Sequence, residues 1–85
     1  MNPNLNHDRF ELGGAIHLHY PFVKATIKPD DYGVFSVFIE FNINGIYFKT
    51  FFTNTEEEAI ELAKAECIKM TTKAQKLLWQ KTKIN

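Results

Sequence analysis

The sequence feature that most constrains this chain is the Asn-Gly pair inside "FNINGIYF", residues 41–48. Asn44-Gly45 favours a two-residue type I′ turn, because both central positions of that turn need a positive φ angle. Such a loop places Glu40 opposite Lys49, where a carboxylate faces an ammonium group across an antiparallel pair. The sequence therefore predicts a β-hairpin with a two-residue loop.

This register divides the hairpin into an apolar face and a mixed face. The apolar face pairs Ile43 with Ile46, Phe41 with Phe48, Ile39 with Thr50 and Val37 with Phe52. We expect the chain's own helix to bury that face. The mixed face pairs Phe38 with Phe51 and places Tyr47 nearby.

An exposed aromatic patch is unusual on a monomer and commonly marks an interface. The mixed face therefore predicts a partner-binding surface made of Phe38, Phe51, Tyr47 and Lys49. The alternative is that the N-terminal segment lies across these rings with its own apolar residues, Phe10 and Leu12.

Upstream of the hairpin, "KPDDYG" (residues 28–33) has the composition of a turn, with Gly33 suited to a left-handed position. Apolar residues alternate with polar ones before this turn, but the phase of the alternation reverses at Pro21. Because proline cannot donate to a strand ladder, the reversal indicates a bent strand or two short strands. We expect a three- or four-stranded antiparallel sheet.

A helix is predicted over residues 55–81. Thr55 and Glu58 fit a capping box, and the acidic first turn suits the positive end of the helix dipole. One apolar stripe follows at spacings of three and four, namely Ile60, Ala63, Cys67, Met70, Ala74 and Leu77. The helix is either continuous or broken at Thr71-Thr72, where β-branched residues weaken it.

These elements predict one α+β domain over residues 1–85, in which a long C-terminal helix packs on one face of the sheet. Residues 1–8 are expected to be flexible, 15–53 to form the strands and 55–81 to be helical. The chain has ten acids, ten bases and one cysteine, so it has no net charge and no internal disulfide. With no secretory signal pattern at the start, we expect a cytoplasmic protein that does not enter the membrane.

The predicted helix is longer than the strands that would cover it. Residues Leu77, Leu78 and Trp79 therefore either fold back on the sheet or pack against a second copy of the chain. A homodimer is a common way for so short a chain to complete its core.

Residues 68–85 contain several bases and no acid, which gives a second class of possible partner. Nucleic-acid phosphates could contact this basic end while an aromatic ring stacks on a base. The candidate residues are Lys69, Lys73, Lys76, Trp79, Lys81 and Lys83. The alternative is that the lysines only complement the negative end of the helix dipole.

Catalytic and cofactor chemistry find little support in the sequence. His17 and His19 share one side of a strand, a spacing that suits a zinc or copper ion, but no further ligand stands at a motif spacing from them. Cys67 lies on the apolar stripe, where a buried small hydrophobe is the ordinary role. With no nucleophile–base set and no glycine-rich phosphate loop, we expect neither an enzyme nor a cofactor.

Residues 33–66 resemble the small arm-binding domains of phage tyrosine recombinases, in which two strands and a helix with an acidic start follow in order. The matching residues are Gly45, Lys49, Thr50, Phe51, Thr55, Glu57, Glu58 and Ala59. The resemblance implies a three-stranded sheet with one helix, a phage or mobile-element origin and a sheet face that enters the DNA major groove. This chain has Glu40, Phe38 and Phe51 on that face, with Lys49 as its one base.

Taken together, the sequence favours a small non-enzymatic binding protein, of the kind that a phage uses to bind and inhibit a host protein, such as a component of host defence. The alternative is a nucleic-acid-binding module that uses the basic helix end and the sheet face.

Overall fold

The computed structural model of the chain describes residues 5–42 and 46–83, and the side chains of residues 42, 46–47 and 79–83 lie outside the description. The order of elements is β1 (Asp8–Leu12), β2 (Ala15–Tyr20), β3 (Val23–Pro29), β4 (Phe35–Asn42), β5 (Ile46–Thr53) and α1 (Glu56–Lys83). The strands form one antiparallel sheet in the order β1-β2-β3-β4-β5. The α+β class is therefore confirmed.

The sheet has five strands rather than the predicted three or four. The additional strand is β1, which pairs with β2 through a two-residue loop at Gly13 and Gly14. Both glycines have positive φ, 61° and 77°, as a primed hairpin turn requires. Asp8 already belongs to β1, and the first four residues of the segment predicted to be flexible lie outside the described part.

The phase reversal at Pro21 marks a second tight hairpin. Tyr20 pairs with Val23, so Pro21 and Phe22 form a two-residue loop between two short strands. A two-residue loop pairs an even-numbered residue with an odd-numbered one, and the buried positions therefore change parity from β2 to β3. Phe22 adopts a positive φ of 69°, a conformation that non-glycine residues rarely adopt.

The turn between β3 and β4 follows the prediction. Asp30 Oδ1 accepts hydrogen bonds from the backbone N–H groups of Tyr32 at 2.8 Å and Val34 at 3.0 Å. Gly33 occupies the left-handed region with φ at 80°. An aspartate that bonds the backbone ahead of it closes a turn without help from another element.

The predicted register of the β4–β5 hairpin is wrong by one residue. Asn42 pairs with Ile46, which leaves residues 43–45 between the strands instead of the two-residue Asn44-Gly45 loop. The conformation of those three residues lies outside the description. Because side chains alternate between the faces of a strand, this shift exchanges every side chain of β5 between the two faces.

Helix α1 is continuous through Thr71 and Thr72, so the possible break there is not present. Thr71 is fully buried and its hydroxyl donates to the Pro21 carbonyl at 3.3 Å, which ties the helix to the β2–β3 turn. At the start of the helix, Thr55 Oγ1 accepts from the Glu58 N–H at 3.1 Å. The predicted Thr55 cap is therefore confirmed.

The helix packs on one face of the sheet, over β3 and β4. The core that they enclose consists of Ile16, Leu18, Tyr20, Val23, Ala25, Ile27, Val37, Ile39, Ala59, Ala63, Cys67 and Met70. The buried stripe of α1 ends at Ala74, and Leu77 and Leu78 are exposed. A 28-residue helix is about 42 Å long and an eight-residue strand about 27 Å, so the end of α1 extends past the sheet. Within the described ranges, no helix has the unbroken apolar length that spanning a membrane requires.

Candidate functional site

The candidate site is the side of the sheet that faces away from α1, which we call the outer face. Strand alternation and pairing place its residues in rows across the sheet. The middle row is Phe10, His17, Thr26, Phe38 and Thr50. None of the described elements packs across this face, because the helix contacts are made by the buried residues of the opposite side.

Three phenylalanines on β4 and β5 form an aromatic strip on the outer face. Phe38, Phe48 and Phe52 are 38%, 50% and 69% exposed. The rings of Phe38 and Phe48 are stacked, with centroids 5.1 Å apart and an interplanar angle of 24°. The stacking fixes two rings on a rigid sheet, so they are presented to a partner with little remaining side-chain entropy to lose.

The structure brings one of the four predicted partner-binding residues to this face, namely Phe38. Phe51 is half-buried and packs against the core, opposite Val37. Lys49 lies on the helix side, where its Nζ is 3.8 Å from Glu66 Oε2. Tyr47 occupies a backbone position of the helix side, and its side chain lies outside the description.

The register shift explains why sequence reasoning missed Phe48 and Phe52. Aromatic residues occupy both faces of β5 in either register, so alternation alone cannot choose between them. The choice depends on the loop length, and the Asn-Gly pair indicated the wrong length. A three-residue loop that contains glycine was the alternative signal in the same stretch.

The described part of the N-terminal segment, residues 5–12, does not cover the aromatic strip. Phe10 and Leu12 belong to β1, three strand spacings or about 14 Å from Phe38. Phe10 instead contacts the two histidines of β2, stacked on His17 at 5.0 Å and edge-on to His19 at 4.8 Å. The alternative that these residues shield the rings is therefore wrong for the described part of the segment.

His17 and His19 share the outer face, as their spacing predicts, with ring centroids 6.3 Å apart. Phe10 lies against both rings, and Thr26 Oγ1 is 3.5 Å from His17 Nδ1. Across the residues that the structure describes, no three histidine, cysteine or carboxylate side chains are grouped for a metal ion. The contacts of the two histidines are those of an aromatic cluster.

The basic end of α1 presents Lys69, Lys73 and Lys76 to solvent, at helical spacings of four and three. Lys69 Nζ is 3.8 Å from Glu66 Oε1. The other candidates of this group, Trp79, Lys81 and Lys83, have side chains outside the description. The described lysines therefore form a single basic ridge on the helix.

Cys67 is fully buried under the sheet. Burial, with a smaller contribution from the nearby Glu66 carboxylate, raises the pKa of its thiol to about 12. The thiolate is the reactive form of cysteine. Cys67 is therefore a protonated core residue at neutral pH.

Comparison with known proteins finds no protein-family model, curated protein or solved structure that this chain matches. The resemblance to the arm-binding domains stays a prediction.

Proposed function

We propose that this chain is a small non-enzymatic protein that binds a partner protein through the aromatic strip of its outer face. The observation that carries the proposal is the stacked pair of Phe38 and Phe48 beside the exposed Phe52, on a face that no described element covers. These three rings lie outside the core that α1 and the sheet enclose.

The composition around the strip favours a protein partner over nucleic acid. Lys24 and Lys28 on the outer positions of β3 are balanced in charge by Asp8 and Glu40, which both lie in the row of Lys24. A phosphate backbone selects a surface with an excess of positive charge. Aromatic anchors on a charge-balanced surface are typical of protein interfaces.

The partner class follows from the predicted phage or mobile-element origin. On that basis the partner is a host protein, and binding inhibits it. This step depends on the resemblance alone, and the aromatic strip does not require it.

The test is affinity purification from the native host, with and without nuclease, using the wild-type chain and a Phe38→Ser/Phe48→Ser variant. Truncating two central anchors of an interface costs about 2–4 kcal/mol, which weakens binding by roughly 30-fold to 1,000-fold. We expect the variant to lose a nuclease-resistant partner that the wild-type chain retains.

The matched control is Tyr32→Ser, because Tyr32 is 91% exposed but lies in the turn between β3 and β4 rather than on a strand of the outer face. Circular dichroism and urea unfolding establish that each variant is folded. Equal capture by the wild-type chain and the Phe38→Ser/Phe48→Ser variant would exclude the strip as the binding surface.

The basic ridge of α1 supports a second candidate function, nucleic-acid binding. All three lysines of the ridge, Lys69, Lys73 and Lys76, are exposed on one side of the helix. Their contacts would be with phosphate, so binding should fall steeply as salt rises. A gel-shift series that shows no complex at about 50 mM salt, where phosphate contacts are strongest, would remove this candidate.

A further inference from the structure

The two edges of the sheet differ in a way that points to a second binding surface. β1 has five residues, three of them charged, which are Asp8, Arg9 and Glu11. β5 has eight residues and one charge, Lys49, which faces the helix and is paired with Glu66. Proteins protect sheet edges with short strands and charges, so β1 is a protected edge and β5 is an open one.

The open edge leaves backbone groups available for pairing. In the part of the chain that the structure describes, β5 pairs with β4 on one side and with no strand on the other. Its outward-facing N–H and C=O groups form a template of about 27 Å for another extended strand. Phe48 and Phe52 stand beside this template on the outer face.

We infer that β5 pairs antiparallel with β5 of a second copy of this chain, around a two-fold axis at Thr50. Thr50 then lies opposite Thr50 of the second copy, and Phe48 lies opposite Phe52 of the second copy. By symmetry the aromatic cross-strand pair forms twice, and such pairs stabilise a sheet. The two five-stranded sheets become one ten-stranded sheet with a continuous outer face.

Charge selects this register among its neighbours. For the outer faces of both copies to lie on the same side of the joined sheet, each outer-face residue must pair with an outer-face residue. The partner of any residue can therefore change only by two positions at a time. The step in one direction places Lys49 directly opposite Lys49 of the second copy, and like charges that face each other are destabilising. The step in the other direction shortens the overlap to residues 49–53.

In the register centred on Thr50, Lys49 lies opposite Phe51 of the second copy. The Glu66 carboxylate, 3.8 Å from the Lys49 ammonium, is present in every register, so the registers differ in whether the two Lys49 side chains face each other directly. The overlap covers residues 47–53, about 24 Å of paired strand. This is small beside the surface that a stable dimer buries, so the dimer should be weak and dependent on concentration.

The first experiment measures molar mass by light scattering and sedimentation across a concentration series. Thr50 is exposed, so Thr50→Lys and Thr50→Glu leave the core unchanged. Each variant alone places like charges across the axis and should weaken the dimer by about tenfold or more. Mixing the two variants should restore it, because the lysine then faces the glutamate.

The control for this series is Leu12→Lys, which adds a charge at a 68% exposed outer position on the opposite edge, β1. It should dimerise like the wild-type chain. A wild-type chain that stays monomeric up to about millimolar concentration would overturn the inference. A mixture of the Thr50→Lys and Thr50→Glu variants that stays monomeric would also overturn it. The same holds for a dimer that is disrupted by substitution of Leu77 but not by substitution of Thr50.

A second experiment tests the register by cross-linking a Thr50→Cys variant. Residues directly opposite in an antiparallel pair have Cα atoms about 4.5–5.5 Å apart, which a disulfide can span. The native Cys67 is buried with a raised thiol pKa, so it stays silent. Oxidation should link Thr50→Cys into covalent dimers while Tyr32→Cys, also exposed, stays monomeric. Equal cross-linking of the two variants would contradict the pairing at Thr50.

Discussion

Replacing Phe51 and Phe52 one at a time by alanine tests the register on which the outer face depends. Phe51 is half-buried against the core, and Phe52 is 69% exposed on the opposite face. A fully buried phenylalanine costs about 3–5 kcal/mol on truncation, so a half-buried one should cost about 2 kcal/mol. An exposed position away from packed contacts costs about 0.5 kcal/mol or less.

The difference in free energy of unfolding between the two variants is a better test than either value alone. Both substitutions lose the same strand propensity of an aromatic residue, so that contribution largely cancels in the difference. For a domain of this size, a difference of about 1.5 kcal/mol corresponds to roughly 6–12 °C in Tm.

Urea and thermal unfolding, followed by circular dichroism at micromolar protein concentration, measure both free energies of unfolding. We expect Phe51→Ala to be clearly destabilised and Phe52→Ala to resemble the wild-type chain. The reverse order, with Phe52→Ala as the more destabilised variant, would favour the register with a two-residue Asn44-Gly45 loop and refute the observed one.

Two further predictions concern the core and the β2–β3 turn. Burial raises the pKa of the Cys67 thiol in the folded state to about 12, above the ordinary value of 9.0. The thiol's contribution to the free energy of unfolding is therefore fully present below about pH 9 and is lost as the pH rises toward 12. Between pH 8 and 11, the free energy of unfolding in urea should decline by up to about 1.4 kcal/mol per pH unit in the wild-type chain, and by less in Cys67→Ala. Parallel pH dependences of the two proteins would contradict this prediction. Burial also raises the pKa of Tyr20, which adds a decline in the same direction in both proteins. Phe22 has a φ of 69°, which glycine adopts freely and other residues adopt with strain. Phe22→Gly should therefore raise the free energy of unfolding by about 0.5–1 kcal/mol, whereas Phe22→Ala should not. A lower Tm for Phe22→Gly than for the wild-type chain would count against strain at this turn.

Periodicity was sufficient to predict the parts of the fold in which one face is buried and the other is solvated. The stripe of α1 as far as Ala74 and the buried positions of β4 follow from spacing alone, whereas Leu77, the last predicted member of the stripe, is exposed. The cap at Thr55 follows from local chemistry. β1 was missed because each of its residues is exposed, so it carries no alternation of buried and solvated positions. The sequence signal for β1 is the Gly13-Gly14 pair, which forms the two-residue loop between β1 and β2. The residues before this pair do not alternate between apolar and polar in a way that identifies a strand.

For the candidate site, the sequence predicted an aromatic surface on the hairpin but only one of its three rings. An exposed aromatic surface on the hairpin was expected, and Phe38 lies there. Its neighbours are Phe48 and Phe52 rather than Phe51, because one residue of loop length decides which side of β5 faces outward. No count of apolar residues could settle this, since β5 carries aromatic rings on both sides.

The central claim is that the outer face carries aromatic rings that no described element of the chain covers. Nuclear magnetic resonance with a soluble paramagnetic probe measures this directly, through the relaxation that the probe adds to each ring's protons. At low protein concentration, the added relaxation should rise from Phe38 through Phe48 to Phe52, each below that of the exposed Tyr32 and each above that of the half-buried Phe51. Protection of Phe38, Phe48 and Phe52 equal to that of Phe51 would contradict the claim.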